Sequence, residues 1–215
     1  MAALFVTSCG TGRGKTYVSE NMIRGWLAAG KDVRVLKPVI SGFDPATAED
    51  TDTGLLLAAA GQDLTPTTID RVSPWRYAAP LSPDMAAALE DRAVPVDEVV
   101  DFCRSAISDA ETEGAHLLIE GAGGVMVPLD ETCTMRDLIA ALDIPVVLVV
   151  GSYLGSLSHA LTALEALRAR DVAIDRIVVN ETKDSNIPLA ETRDTLARFV
   201  GEVVLETLGF SPPAP

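Results

Sequence analysis

Cysteine is scarce in this chain: Cys9, Cys103 and Cys133 are the three, and no C-x-x-C pair occurs. An odd, scattered set argues against a disulfide framework and a cysteine zinc site, and for a reducing compartment. Aromatic residues make up only 5% of the 215 residues, against 48% hydrophobic. The core must therefore be built from Ala, Val, Leu and Ile, as in a parallel sheet covered by helices on both faces. Positive charge is also sparse, with 17 Lys and Arg against 31 Asp and Glu, a net charge of −14. Nucleic acid and anionic membranes repel such a chain. It can hold a polyanion only if its few cations line one site. No apolar run approaches the roughly 20 residues of a membrane span, and the first residues already read as a core strand rather than a signal peptide. We expect a cytoplasmic protein with no nucleic-acid and no membrane partner.

What the sequence does contain is organised around Phe5-Val6-Thr7-Ser8-Cys9-Gly10-Thr11-Gly12-Arg13-Gly14-Lys15-Thr16. The apolar run from Ala2 to Val6 reads as a buried strand, and Lys15 opens a helix whose apolar residues Val18, Met22, Ile23, Trp26 and Leu27 recur at helical spacing. A glycine-rich turn between a strand and a helix is the setting of a phosphate-binding loop. Backbone N–H groups curl inward there, and the helix start adds free donors and partial positive charge. Lys15 can reach terminal phosphates, and the Thr16 hydroxyl can ligate Mg²⁺. The spacing is not the usual one, because Cys9 stands where a glycine is customary; the bland alternative is a strand–helix turn with no ligand.

Further along, strands are expected at Val33–Leu36, His116–Glu120, Pro145–Val150 and Ile177–Asn180, with a short one at Val203–Leu205. Helices are expected at Asp52–Ala60, Ser82–Arg92, Val96–Glu111, Thr134–Leu142, from the loop Gly151–Leu157 through Arg168, and at Leu189–Phe199. Residues 38–50 read as loop and 61–80 as an irregular excursion. Residues 211–215 read as a disordered tail. Alternating strands and long helices predict one α/β domain over residues 1–210 with a doubly wound, mostly parallel three-layer sheet. In such sheets ligands sit at the carboxyl ends of the strands.

Three further features fall at strand ends. Glu120 closes a core strand and is followed by Gly121-Ala122-Gly123-Gly124, which lets backbone approach a ligand. Asp52 opens a helix, where an N-cap serves as well as a metal ligand, and Asp50 is a rival. Lys37 ends the second strand one residue before Pro38; it either enters the cleft, snorkels at the surface or pairs with an acid. Ser41-Gly42 follows.

These segments resemble the dethiobiotin synthetase family. The resemblance rests on Thr11-Gly12-Arg13-Gly14-Lys15-Thr16, Lys37-Pro38-Val39-Ile40-Ser41-Gly42, Asp52, Glu120-Gly121-Ala122-Gly123-Gly124, Leu154-Gly155-Ser156-Leu157-Ser158-His159 and Asn180, in family order over about 180 residues. It implies a phosphate-loop nucleotidase fold and ATP-dependent closure of a ureido ring from 7,8-diaminononanoate and CO₂, with Mg²⁺ as cofactor and ATP as co-substrate. By position, Lys15, Lys37 and Thr11 are implied to be catalytic. Gly12, Arg13, Gly14, Lys15, Thr16, Tyr17, Asp52, Glu120, Gly121, Ala122, Gly123 and Asn180 are implied to bind nucleotide, with Asn180 reading adenine. Thr16, Asp52 and Glu120 are implied to hold the metal. Lys37, Ser41, Gly155, Ser156, Leu157 and Ser158 are implied to bind substrate, the last four from the partner subunit of a homodimer. The sequence departs from the family at Ser8, where many members have glycine, and at Asp84, where some have histidine. It also continues only briefly after Gly201-Glu202-Val203-Val204, where many members carry a base-covering loop, so loose base selectivity is the expectation.

Two other readings fit the same loop. A dimeric switch ATPase of the partitioning and septum-site type shares the fold, but it carries an additional lysine early in the loop where this chain has Ser8-Cys9-Gly10. A non-catalytic nucleotide-binding protein remains if Lys37 lies outside the cleft.

Overall fold

The computed structural model describes residues 3–183 and 185–210; the expected tail at 211–215 and Ala2 of the first expected strand lie outside them. Strand β1 (Ala3–Ser8) leads through the glycine-rich turn into helix α1 (Lys15–Ala28). After β2 (Val33–Leu36) come β3 (Val39–Ser41), a 3-10 turn (Pro45–Asp50), α2 (Asp52–Ala59), α3 (Pro66–Val72), β4 (Trp75–Tyr77) and α4 (Pro83–Ala88). The remainder alternates: α5 (Val96–Glu113), β5 (His116–Glu120), α6 (Met135–Leu142), β6 (Val146–Gly151), α7 (Ser156–Arg168), β7 (Ile174–Asn180), α8 (Leu189–Leu196) and β8 (Val204–Leu208). Among the described residues six strands form one sheet in the order β2-β5-β1-β6-β7-β8, each neighbouring pair parallel.

The sheet is buried on both faces, and strand parity sorts its side chains between them. Phe5, Leu117, Ile119, Val146, Leu148 and Val150 enter the core shared with α5, α6 and α7. Leu4, Val6, Leu118, Val147 and Val149 enter the opposite core, under α1 and α2. No aromatic is needed to fill these layers beyond Phe5 and a few flanking rings.

Two stretches differ from the sequence expectation. Residues 38–50 hold β3 and a 3-10 turn, and 61–80 hold α3 and β4. β3 and β4 pair in parallel, Val39 with Trp75 and Ser41 with Tyr77. Each strand is three residues long and its partner lies far along the chain, so local periodicity carries no trace of it. Helix α3 did carry a local signal: Pro66 sits in its first turn, and Thr65 and Thr68 form a capping box. Helix α4 stops at Ala88, short of the expected Arg92, where the chain turns through Asp91 at φ 53°. Among the described residues no helix is long and apolar enough to cross a membrane.

Candidate active site

The phosphate loop lies at the carboxyl end of β1. Gly14 is the N-cap of α1 at φ 83°, in the left-handed region, and a Cβ there would collide with the Asn180 amide. Glycine is therefore demanded both by the backbone and by space. The second glycine turn presses against the first: a Cβ on Gly124 would stand 2.9 Å from the Gly10 backbone. Ser8 joins the two turns. Its hydroxyl donates to Gly10 O at 2.7 Å and lies 3.2 Å from Gly123 O, so the departure from glycine adds ties at the loop entry.

Lys15, first residue of α1, is 7% exposed, and among the described residues it has no carboxylate within ion-pair distance. Burial, then the ammonium of Lys37, pulls its pKa down to about 8, against the opposing pull of Glu120 and Asp52. A buried ammonium left unpaired by its own chain calls for an anionic ligand.

Lys37 extends the β2–β5 ladder. Val35 pairs with Leu118 and Leu36 with Ile119, and one step further Lys37 Nζ donates to Glu120 Oε1 at 2.8 Å and to Gly121 O at 3.0 Å. Asp52 Oδ2 lies 2.6 Å from the same ammonium. Burial lowers the Lys37 pKa, but Glu120 and then Asp52 outweigh it, so the net shift is upward. Asp52 shows the reverse balance: burial raises its pKa, and Lys37, with the hydrogen bond from Thr16, brings it down to about 2.

The Thr16 hydroxyl stands 2.8 Å from Asp52 Oδ1 and 3.0 Å from Glu120 Oε1. Glu120 is fully buried, and its Oε2 accepts from Ser19 Oγ at 2.7 Å. Ser19 is a residue that reading the sequence missed. Its signal was spacing: it follows Lys15 by one helical turn on the same face. Hydroxyl and carboxylate oxygens suit Mg²⁺, which takes hard donors and keeps several waters. Among the described residues no three His, Cys, Asp or Glu side chains converge, so a cation here depends on Thr16 and on ligand oxygens.

A cavity of about 590 Å³ opens over these groups. Thr11, Gly12, Gly14, Lys15 and Thr16 form one wall, Lys37, Ile40, Ser41 and Asp52 a second, and Ala122, Gly123 and Val127 a third. Pro80, at the end of the stretch read as irregular, and Leu81 to Pro83, leading into α4, close the remainder. The Ser41 hydroxyl is buried without a partner among the described residues. Asp52 contacts Thr16 and Lys37, whereas Asp50 is exposed in the preceding 3-10 turn.

Other expected residues stand behind these walls. Gly121 supplies the carbonyl to Lys37. Asn180 donates from Nδ2 to Arg13 O at 3.2 Å, and its Oδ1 is buried and unpartnered among the described residues. The Tyr17 hydroxyl donates to Gly209 O. Gly155, Ser156, Leu157 and Ser158 form the start of α7 and do not line the cavity of their own chain. His159 is exposed, and its Nδ1 lies 2.8 Å from the Tyr153 hydroxyl.

A family model described as AAA domain matches residues 2–213. The chain is 48% identical to the ATP-dependent dethiobiotin synthetase BioD of Acidiphilium cryptum over 202 residues, covering 94% of this chain and 89% of that protein. It is 45% identical to the protein of the same name from Methylobacterium nodulans, covering 95% and 92%. Among solved structures, the MinC:MinD cell division protein complex of Aquifex aeolicus superposes with a TM-score of 0.58 over 99% of this chain and 83% of that one. At 14% identity that likeness shows the fold alone.

Proposed function

This chain belongs to the ATP-dependent dethiobiotin synthetase family, and on that premise we propose how its residues divide the work. The reaction is ATP-dependent ureido ring closure, which makes dethiobiotin from 7,8-diaminononanoate and CO₂ in biotin biosynthesis. One amine takes up CO₂ as a carbamate and loses a proton. The carbamate oxygen then attacks the γ-phosphorus and ADP leaves. The second amine attacks the carbonyl carbon of the mixed anhydride, and phosphate leaves. Positioning and charge neutralisation carry most of the catalysis in such a transfer.

The observation that carries this assignment is the pair of buried lysines facing one cavity. Lys15, unpaired, takes the γ-phosphate together with the inward N–H groups of Gly12 and Gly14. Lys37, held at the acid pair, takes the carbamate oxygens. Thr11 and the unpartnered Ser41 hydroxyl hydrogen-bond the reactants. Thr16, Asp52 and Glu120 are the residues that would hold Mg²⁺; bound there, Mg²⁺ supplies charge neutralisation at the phosphates. The free Asn180 Oδ1 suits the exocyclic amine of adenine. The start of α7, which does not reach the cavity of its own chain, serves the partner's substrate carboxylate in a homodimer. We place the protein in the cytoplasm.

The test is a pair of measurements on Lys37→Gln. Nucleotide affinity by calorimetry should stay near that of the unaltered chain. Ring closure with diamine and bicarbonate should fall by about two orders of magnitude or more, the scale of one preorganised electrostatic donor. Loss of affinity with turnover retained at saturating ATP would make Lys37 a phosphate ligand. ATP hydrolysis by the unaltered chain that ignores diamine and bicarbonate would favour a switch ATPase.

A further inference from the structure

Tyr153 stands in the short loop between β6 and α7, and the ring-closing chemistry makes no use of it. It nevertheless touches three elements at once. Its ring lies under the Arg13 guanidinium, with Cζ 4.3 Å from the centroid. Its hydroxyl is 2.8 Å from His159 Nδ1, in the first turn of α7, and 3.9 Å from Cys9 Sγ at the entry of the phosphate loop. The ring lies against the strand end, where a Cβ on Gly151 would come within 2.8 Å of it.

Arg13 passes this contact into the loop. Its Nε donates to Thr11 O at 3.0 Å, so the side chain braces the crest on which it sits. Among the described residues Arg13 has no carboxylate partner, in a chain where acids outnumber bases 31 to 17. The Tyr153 ring, the Tyr153 hydroxyl and the Thr11 carbonyl are what hold it. From the far side Asn180 donates to the Arg13 carbonyl at 3.2 Å. The crest is thus pinned from the end of β7 through its backbone and from the end of β6 through a side chain. An arginine at this position without a seat would swing into solvent, and Thr11 would lose its brace.

We propose that Tyr153 is a positioning residue for nucleotide binding: its ring seats Arg13, and Arg13 fixes the crest of the phosphate loop, Thr11 to Arg13, before the ligand arrives. This rests on the phosphate-loop reading of residues 8–16. The ring is the larger part of the seat, and the hydroxyl, bonded to His159 and interacting with Arg13, is the smaller part.

The experiment measures binding of a non-hydrolysable ATP analogue with Mg²⁺ to the full chain by calorimetry, with melting temperatures as a folding control. Tyr153→Ala and Arg13→Ala should each weaken binding about tenfold, the scale of one cation–π interaction in a partly desolvated site. Their combination should be no weaker than either alone, because both remove the same interaction. Tyr153→Phe keeps the ring and should stay within about threefold of the unaltered chain. In turnover, KM for ATP should rise in step with the dissociation constant. If Tyr153→Ala fails to fold, Arg13→Ala reads the same interaction from the other side. Additive losses, or Tyr153→Phe as weak as Tyr153→Ala, would overturn the proposal. Binding by Tyr153→Ala as tight as the unaltered chain's overturns it alone; no binding by the unaltered chain overturns the phosphate-loop reading with it.

Discussion

Replacing Lys37 with Met removes a 2% exposed ammonium from between Asp52 Oδ2 at 2.6 Å and Glu120 Oε1 at 2.8 Å. Breaking a buried pair by deleting one partner costs about 3–5 kcal/mol, because a charge is left uncompensated. Here two carboxylates are left facing each other, but Asp52 is 40% exposed and water screens its share. Glu120 keeps the Ser19 hydroxyl at 2.7 Å and Thr16 at 3.0 Å. The low end of the range applies, about 3 kcal/mol, and with a urea m-value of about 3 kcal/mol/M the midpoint should fall by about 1 M. The deficit should also depend on pH. A buried carboxylate without its counter-ion has a raised pKa, so its protonation favours the folded variant as pH falls. The gap between variant and parent should narrow from about pH 8 to about pH 5. Millimolar Mg²⁺ should stabilise the variant more than the parent, since the cation enters the corner that the ammonium has left. Urea melts at both pH values, with and without Mg²⁺, measure all of this. A deficit under about 1 kcal/mol, unchanged between the two pH values, would show that Lys37 is not the counter-ion of this acid pair.

Lys15→Ala should abolish ring closure while the circular dichroism melt stays cooperative, because Lys15 holds no acid of its own chain. In the unaltered chain, nucleotide affinity should fall as pH rises through about 8, by up to about tenfold per unit, as the ammonium is lost from a site whose ligand favours it; a flat profile from pH 7 to 9 would refute this. Gly124→Ala places a Cβ 2.9 Å from the Gly10 backbone and should weaken nucleotide binding at least about tenfold, by shifting the loop from its phosphate-binding form; calorimetry checks it. Against the loose selectivity expected from the sequence, Asn180 Oδ1, an unpartnered buried acceptor, should favour ATP, with its N6 amine, and CTP, with its N4 amine, over GTP, which carries a carbonyl in place of adenine's N6 amine; equal kcat/KM for the three would show that Asn180 does not read the base.

The core strands were legible because each is a short apolar run bounded by turn residues: Val33–Leu36 and His116–Glu120 begin and end where expected. The phosphate loop was legible because Lys15-Thr16 falls where a helix must begin. What sequence could not show was convergence. Lys37, Asp52 and Glu120 each had an ordinary local explanation, as a snorkelling lysine, a helix N-cap and a strand-end acid. Only the folded chain brings the three within hydrogen-bonding distance and sets Asp52 rather than Asp50 against Lys37. Tyr153 had no local signal, since it stands in a loop with no periodicity. The helix start at Ser82-Pro83 was legible, but its place as a cavity wall was not, because that depends on the long-range pairing of β3 with β4.

One part of this convergence was nonetheless written into residue parity. Leu118 and Val35 both enter the core under α1 and α2, while Ile119 and Leu36 enter the opposite one. Side chains alternate along a strand, so two residues beyond Val35 and Leu118 the chain must again face α1. Those residues are Lys37 and Glu120. The parallel register that pairs Val35 with Leu118 brings them side by side, opposite Thr16 and Ser19 of α1. A slip of one residue in either strand would turn its charge toward the layer formed by Phe5, Met135 and Leu138, where nothing charged could answer it. Register and buried charge therefore enforce each other: apolar pairing sets where the ions meet, and the cost of misplacing them forbids the neighbouring registers.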